Sequence, residues 1–550
     1  MSERDTVLIQ PNGRPLRELV GARPRHRASL SGEYARSFPY DASGLFASET
    51  EGWYPSITSQ DFEYNIHRDR VTGRSRDLYR NDGWASGGLT RILDATVGAH
   101  FRFISMPDYR ALSYFAKGFD AEWAREYRHA LESRWRTFAE DTNNYCDAAR
   151  QLTFVQMMRL ALRHKIVDGE NLLTLDWMPE RVGYGAAHFA TAIRLIDPDR
   201  LSNPQDQTDT MYMRGGVEID ADGVPLAYHI RRAHQNDWYG AVEANIWDRI
   251  ERETAWGRRT VIHDYDRERA DQHRGIPLIT PVMNRMKMLT KYDQVELQAA
   301  VLNAVLGIAV KSPYDPEGLR EVATSEDADD PQYWYWNQLR ADRERSPLRF
   351  AQAQVLPLRP GEDVTQIQAN RPGAMHDPFT YYALRNVASG LGTTAEELTL
   401  DWSKSNYSSA RAGFVIAIKT AKRRRHDFAT NTAMPCVVAV AEEAFDNGEL
   451  PLPNNAPDFV EARAAYTRGQ FLGPGQGNID PVKERQGQVL GMDMGTTTLM
   501  HESAENGADY EENLDQRAIE IRMFRERGLP LPKWFGAETA KETMQPQEAQ

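Results

Sequence analysis

The stretch "TPVMNRMKMLTKYDQVELQAAVLNAVLGIAV", Thr280 to Val310, decides how the fold is read. Thr280 can cap a helix, and Pro281 suits its first turn, where no N–H is needed. No further proline interrupts the run, so the spacing predicts one helix reaching about Val310. About thirty residues at 1.5 Å each make a rod of roughly 45 Å.

Upstream of this rod, residues 51 to about 275 read as α+β. "AEWAREYRHALESRWRTFAED" places Trp123, Tyr127, Ala130, Leu131, Trp135 and Phe138 at helical spacing. A helix, a turn at Asp168-Gly169 and a strand follow. "GGVEIDADGVPLAYHIRR" reads as two strands around Asp222-Gly223, a hairpin signal. Residues 1–50, rich in Arg, Ser, Gly and Pro, read as a flexible arm.

Downstream comes an irregular aromatic segment, "DDPQYWYWNQLRADRERSPLRF", then a strand-like piece with a turn at Pro360-Gly361. A second helix is expected from Asp377-Pro378, with Phe379, Tyr382, Ala383 and Val387 on one face. "TTAEEL" suggests a capping box from Thr393 to Glu396. "DWSKSNYSSARAGF", Asp401 to Phe414, then leads into a third helix, running from Ser408 to about Glu443 with a kink at Pro435. Ser405 or Ser408 is the expected cap. Phe414, Ile418, Ala421 and Phe428 make an apolar stripe, and Arg411, Lys419 and Arg423 fall on another face.

Composition bounds the function. The chain has 550 residues, enough for about two to four domains. Its hydrophobic fraction of 41% and charged fraction of 26% are those of a folded protein. No apolar run reaches the length of a membrane span, and the N-terminus lacks a secretory h-region. Cys146 and Cys436 make neither a disulfide framework nor a zinc spacing, which fits a reducing compartment. The net charge of −13 argues against a protein that coats itself with DNA. A channel through which DNA slides is a different case, since a tight grip would brake it.

No nucleotide, zincin or hydrolase signature occurs. "GMDMGTTTLM" (Gly491 to Met500) resembles the phosphate turn of actin-like ATPases, but its place near the C-terminus favours a turn and helix cap. "GPGQG" (Gly473 to Gly477) reads as a loop. His263-Asp264 has no second histidine at metal spacing. The Ser and Lys of "SKSNY" lack a base or an oxyanion partner, so no catalytic, cofactor or metal residue is assigned. Two enzymic or binding alternatives stay open here: a nucleotide hydrolase using Asp493 to Thr497, and a DNA-binding adaptor using "KRRRH".

Taken in order, several stretches resemble the lambda-type portal proteins of tailed bacteriophages. They are "DLYRNDGWASGGLTRILDATVGAHFRF" (Asp77 to Phe103), "DGENLL", "IDPDRLSNP" (Ile196 to Pro204), the hairpin, "VIHDYDRERADQHRGIPLITPVMNRMKMLTKYDQVELQAA", and "LRNVASGLG…EELTLDWSKSNYSSARAG". The resemblance implies an α+β, mainly α, portal fold and a cyclic homo-oligomer of about twelve subunits. It implies a wing over 51–276, with Ile196 to Pro204 as strand, a first stem helix over 277–311 and a clip over 312–376. A second stem helix over 377–392, a channel loop and kinked helix over 393–445, and a wing return, crown and tail over 446–550 complete it. Lys404, Ser405, Asn406, Tyr407, Arg411, Lys419 and Arg423 would line or approach a DNA channel. Tyr333, Trp334, Tyr335 and Trp336 would meet partners at the clip. The implied partners are further copies of the chain, double-stranded DNA, the terminase large subunit, major capsid and scaffold proteins, and head-completion or tail proteins. The implied location is a capsid vertex of the virion, after assembly in the host cytoplasm, without membrane, cofactor or enzymic activity.

Overall fold

The computed structural model describes residues 57–235, 237–304, 308–311, 363–366, 376–403, 405–475 and 481–531, with Pro55, Trp334, Gln338 and Ala341. Contacts divide the chain into units 1–58 and 59–550, and every helix and strand among the described residues belongs to the second. The arm, most of the clip segment and the C-terminal tail expected from sequence lie outside the described residues.

Helices α1 (Gln60–Tyr64), α2 (Arg68–Asn81) and α3 (Gly83–Thr96) open this unit. Asp82 ends α2 in extended backbone and caps α3, accepting from the Ala85 N–H at 2.8 Å. Strand β1 (Arg102–Ser105) and helix α4 (Tyr109–Ser113) lead to α5 (Ala121–Ala139). On α5, Trp123, Tyr127, Leu131, Trp135 and Phe138 are buried, as their spacing predicts. Helix α6 (Phe154–Val167) starts from a Thr153–Gln156 capping box and ends at the expected turn. Gly169 there has φ +96°, and a Cβ would stand 2.5 Å from the Ile276 carbonyl carbon. Only glycine fits.

Two antiparallel sheets follow. β2 (Glu170–Trp177) lies between β3 (Thr191–Ile196) and a strand from Val261 to Tyr265. The other sheet orders β4 (Met213–Arg214), β5 (Val217–Ile219), β6 (Pro225–Arg231) and β7 (Trp247–Glu251) in sequence. Val261–Tyr265 is β8. The hairpin at Asp222-Gly223 joins β5 to β6 as expected. The strand expected over Ile196 to Pro204 is not formed past Ile196. Pro198 and Pro204 instead open 3₁₀ turns, because neither has an N–H for a ladder.

The rod is shorter than its pattern suggested. Helix α7 runs Met283–Ala304, 22 residues, or roughly 33 Å. Residues Thr280–Val282 form a 3₁₀ turn, and the Thr280 hydroxyl donates to the Pro277 carbonyl rather than capping. Ile308–Lys311 is a strand, β9, paired antiparallel with β10 (Asp363–Gln366). An apolar β-branched run satisfies either pattern, and the pairing partner lies far along the chain.

Helix α8 (His376–Leu391) packs beside α7, where the Tyr292 and Phe379 rings meet at 5.2 Å. Its buried face is Ala383, Leu384, Val387, Ala388 and Leu391, whereas Tyr382 and Phe379 stay exposed. The short α9 (Ala395–Thr399) carries its capping box on Thr394 and Glu397, one residue later than expected. Helix α10 (Tyr407–Phe428) continues through a π-helical segment, Ala429–Ala433, into α11 (Met434–Asp446). Pro435, in the first turn of α11, has no N–H to give to the preceding turn, so the ladder is interrupted rather than stopped.

After α12 (Phe459–Tyr466), strand β11 (Gly469–Leu472) pairs antiparallel with β1. Phe101 stacks on Phe471 at 4.5 Å there, and Trp135 and Phe154 close the cluster. Helices α13 (Pro481–Asp493), α14 (Leu499–Glu505) and α15 (Tyr510–Glu526) end the described chain. One core runs from Leu78 to Phe471, and a smaller one, with Leu172, Tyr228 and Ile230, lies between the sheets.

Beside the sheets sits a buried charge centre. Glu170 on β2 is fully buried and accepts from Arg68 at 2.9 Å, from Arg274 and from the Gly275 N–H at 2.9 Å. His263 on β8 adds a bond at 3.0 Å. Burial pushes this carboxyl up, but Arg274, Arg68 and His263 together hold it well below the usual range. Burial also lowers His263. A depressed carboxylate adds stability that is complete above its unfolded value and is lost as pH falls through the folded one. Glu170→Gln should therefore cost about 3–5 kcal/mol at neutral pH, because buried Arg274 loses its ion-pair partner and buried Arg68 keeps only Asp69 and Asp199. The urea midpoint reads this out, and the difference between variant and parent should shrink below about pH 4. A neutral-pH loss under about 1 kcal/mol would mean that the centre is dispensable.

Candidate channel-facing segment

Residues 400–428 carry most of the sequence-predicted site. Leu400 ends α9 in the left-handed region, φ +57°, and stays exposed. The polar atoms that follow close turns. Asp401 accepts from the Ser403 N–H at 3.0 Å, and the Ser405 N–H donates to the Trp402 carbonyl at 3.1 Å. Asn406 caps α10: its side chain accepts from the Ser409 N–H at 2.8 Å, and Ser409 Oγ accepts from the Asn406 N–H at 3.1 Å. The cap is thus Asn406, not Ser405 or Ser408. Ser405, half-buried, turns its hydroxyl to Glu396 at 3.5 Å. That contact is too long to activate a nucleophile.

Lys404 lies outside the described residues. Tyr407 is the first residue of α10. Arg411, Lys419 and Arg423 are exposed along α10, and Arg423 pairs with Asp427 at 3.2 Å. Of the residues expected at a clip, Trp334 is exposed, while Tyr333, Tyr335 and Trp336 lie outside the described residues. The apolar stripe is present. Phe428 is fully buried, and Phe414, Ile418 and Ala421 line a cleft of about 640 Å³ shared with α3 and α14.

The cation run after the stripe divides by task. Arg424 donates to the Leu391 carbonyl at 2.7 Å, at the end of α8. Arg425 donates to the Thr96 and Ala95 carbonyls, both at 2.8 Å, at the end of α3. Both guanidiniums thereby satisfy unpaired carbonyls and the negative end of a helix. Burial lowers both from their ordinary values. Lys422 pairs with Glu505 on α14 at 2.6 Å. Arg411 and Lys419 have no ion pair among the described residues. Sequence reasoning saw one cationic face; it missed the two capping arginines, whose only local signal is their nearness to buried Phe428.

The remaining candidates are structural. Asp493 ends α13, and Thr498 caps α14, accepting from the His501 N–H at 3.2 Å. The turn joins α13 to α14, as the turn-and-cap reading expects. His263 bonds Glu170, and Asp264 holds Lys165 at 2.9 Å and the Thr432 hydroxyl at 2.9 Å. This explains the pair without a metal. Asp197, Asp199 and His234 lie close enough for an ion, but Arg76 already occupies the two carboxylates.

A family model described as phage portal protein, lambda family, matches residues 46–425. The chain belongs to the lambda family of phage portal proteins. It is 30% identical to the portal protein of Escherichia phage N15 over 523 residues, covering 94% of this chain and 95% of that one. It is 29% identical to portal protein B of Escherichia phage lambda, covering 90% and 91%. Among solved structures, the neck of an empty gene transfer agent particle aligns over 80% of this portal chain and 94% of its own, at 13% identity and TM-score 0.41. In this portal chain no helix among the described residues is long and apolar enough to cross a membrane.

Asn406→Ala should cost about 1 kcal/mol at the start of α10, making amide exchange over residues 407–412 about fivefold faster while α11 exchanges as before. Unchanged exchange would mean that packing, not the cap, fixes this end.

Proposed function

We propose that this chain is the subunit of a non-enzymatic ring at one capsid vertex, conducting double-stranded DNA during packaging and ejection. Membership of the portal family carries the reading. Segments 51–276 and 277–311 serve as wing and first stem helix, 312–376 as clip, and 377–392 as second stem helix. Segment 393–445 serves as channel loop and kinked helix, and 446–550 as wing return and crown. A ring of about twelve copies closes by heterologous contacts. The terminase large subunit and the head-completion or tail proteins dock on the clip around Trp334, and capsid and scaffold proteins surround the wing.

The electrostatics of α10 support a channel of low friction. Arg424 and Arg425 are committed to helix ends, and Lys422 and Arg423 to acids. That leaves Arg411 and Lys419 as dispersed cations for brief phosphate contact. Phosphate contacts carry no sequence information, as packaging of a whole genome requires. A free-standing DNA adaptor would need the whole "KRRRH" cluster exposed, and two of its five residues, Arg424 and Arg425, bond helix ends.

Negative-stain imaging of the purified chain should reveal rings. The Arg411→Glu/Lys419→Glu variant should form the same rings yet package DNA more slowly in a terminase-driven assay. Wild-type packaging by this variant would remove α10 from the channel wall. Duplex binding by wild-type rings should be weak, with a salt slope of about −1 to −2 per subunit engaged. A steep slope from monomers would favour the adaptor.

A further inference from the structure

A second cleft, of about 870 Å³, opens between β5, β6, β8 and the junction of α10 with α11. Its wall is mostly polar, and four arginines reach it: Arg252, Arg259, Arg267 and Arg423. Arg423 has Asp427 as its partner. Arg252 and Arg259, both half-buried, have no side-chain hydrogen bond or ion pair among the described residues. Arg267 leans over the Tyr265 ring at 5.8 Å. The three converge on Tyr228, whose phenol is raised by burial and opposed by the charges of Arg252, Arg259 and Arg267.

The acids of this cleft do not neutralise them. Asp264 and Asp266 both hold Lys165, at 2.9 and 3.0 Å, and Asp427 holds Arg423. His263 and His273 are bonded to Glu170 and Asp61. Arg252, Arg259 and Arg267 therefore make no ion pair among the described residues; Glu253 acts on Arg259 only at a distance, and Asp222 on the hairpin is uncommitted. Half-buried guanidiniums without an ion pair are costly, and a carboxylate from outside would be held by paired, charge-assisted bonds.

We propose that this cleft receives a carboxylate-bearing segment of a neighbouring copy of the chain, an inference that rests on the ring reading above. Copies with a net charge of −13 repel one another unless local patches are complementary. In a closed ring each interface joins two different flanks, so a cationic recess on one flank can meet acids on the other. Shape selects against DNA. A duplex offers its phosphates on a broad convex rod that does not enter a recess, whereas one acidic side chain on a narrow loop does.

The test uses the full chain. Arg252→Glu/Arg259→Glu and Arg252→Lys/Arg259→Lys are compared with wild type by native mass spectrometry and sedimentation across a salt series. Thermal melting and anisotropy with a short duplex accompany them. The charge-reversed pair should remain monomeric where wild type forms rings, at unchanged melting temperature. The lysine pair should form rings that need about tenfold more protein, because point charges lose the fork geometry. Where the reversed pair melts early, the lysine pair decides: normal melting with weakened assembly supports the proposal, and wild-type assembly overturns it. Intact rings with lost duplex binding would assign the cleft to phosphate and overturn it too. A wild-type chain that never forms rings would sink the ring reading itself; wild-type rings with unaffected variants would sink this inference alone.

Discussion

Glu170 is a negative charge at a place that water does not reach, and the architecture around it follows from that. It draws in Arg68 from α2, Arg274 from the segment before α7, and His263 from β8. These residues are remote in sequence, so the carboxylate ties the first helices, the central strand and the root of the long helix together. Arg68 and Arg274 then reach past it to the carbonyls of Pro198, Leu201 and Gly215, fixing the turns between the two sheets. A second pair, Lys165 with Asp264, repeats the device nearby and carries it to the π segment through Thr432 and Asn431. Buried ion pairs are weak sources of net stability, but removing one partner leaves an expensive remnant. They set geometry more than they add energy.

What that geometry positions is α10. The helix leaves the core at Phe428 and reaches outward to Tyr407 with mostly exposed faces. Its inner end is held by Arg424 and Arg425 at the ends of α8 and α3, and its outer end by the Asn406 cap and by Gly413 packing close to Thr394. The helix is therefore firmly held at its root and lightly held near the loop. A cluster that reads as a nucleic-acid patch in the sequence turns out to be mainly joinery, and only its dispersed members remain for an anion.

Legibility in the sequence followed the range of the forces. Local signals were read well: the α5 stripe, the Asp168-Gly169 turn and the Asp222-Gly223 hairpin depend on neighbours a few residues away. The ordered set of stretches from Asp77 to Gly413 was enough to point to the family. The end of α7 was misread because Ile308 to Val310 suits helix or strand, and β10 decides it from more than fifty residues downstream. Caps slipped by a residue or two, from Thr393 to Thr394 and from Ser408 to Asn406, since adjacent small polar residues are nearly equivalent until the backbone is known. The Glu170 centre and the roles of Arg424 and Arg425 left no trace in spacing, because each joins segments far apart in the chain.

The π segment between α10 and α11 has an evolutionary consequence. A wider turn is an extra residue already absorbed, so the register of the two helical arms is not rigidly shared across it. Residues added or lost beyond the anchored root of α10 leave Arg424, Arg425 and Phe428 in place, and Cys436, Val437, Val440 and Ala444 keep their positions in the core. Asn431 and Thr432, tied to Asp264, act as the fixed datum. The outer helix and the loop before it are thus free to vary in length and character between relatives without renegotiating the core, much as a replaceable tip is fitted to a standard shank.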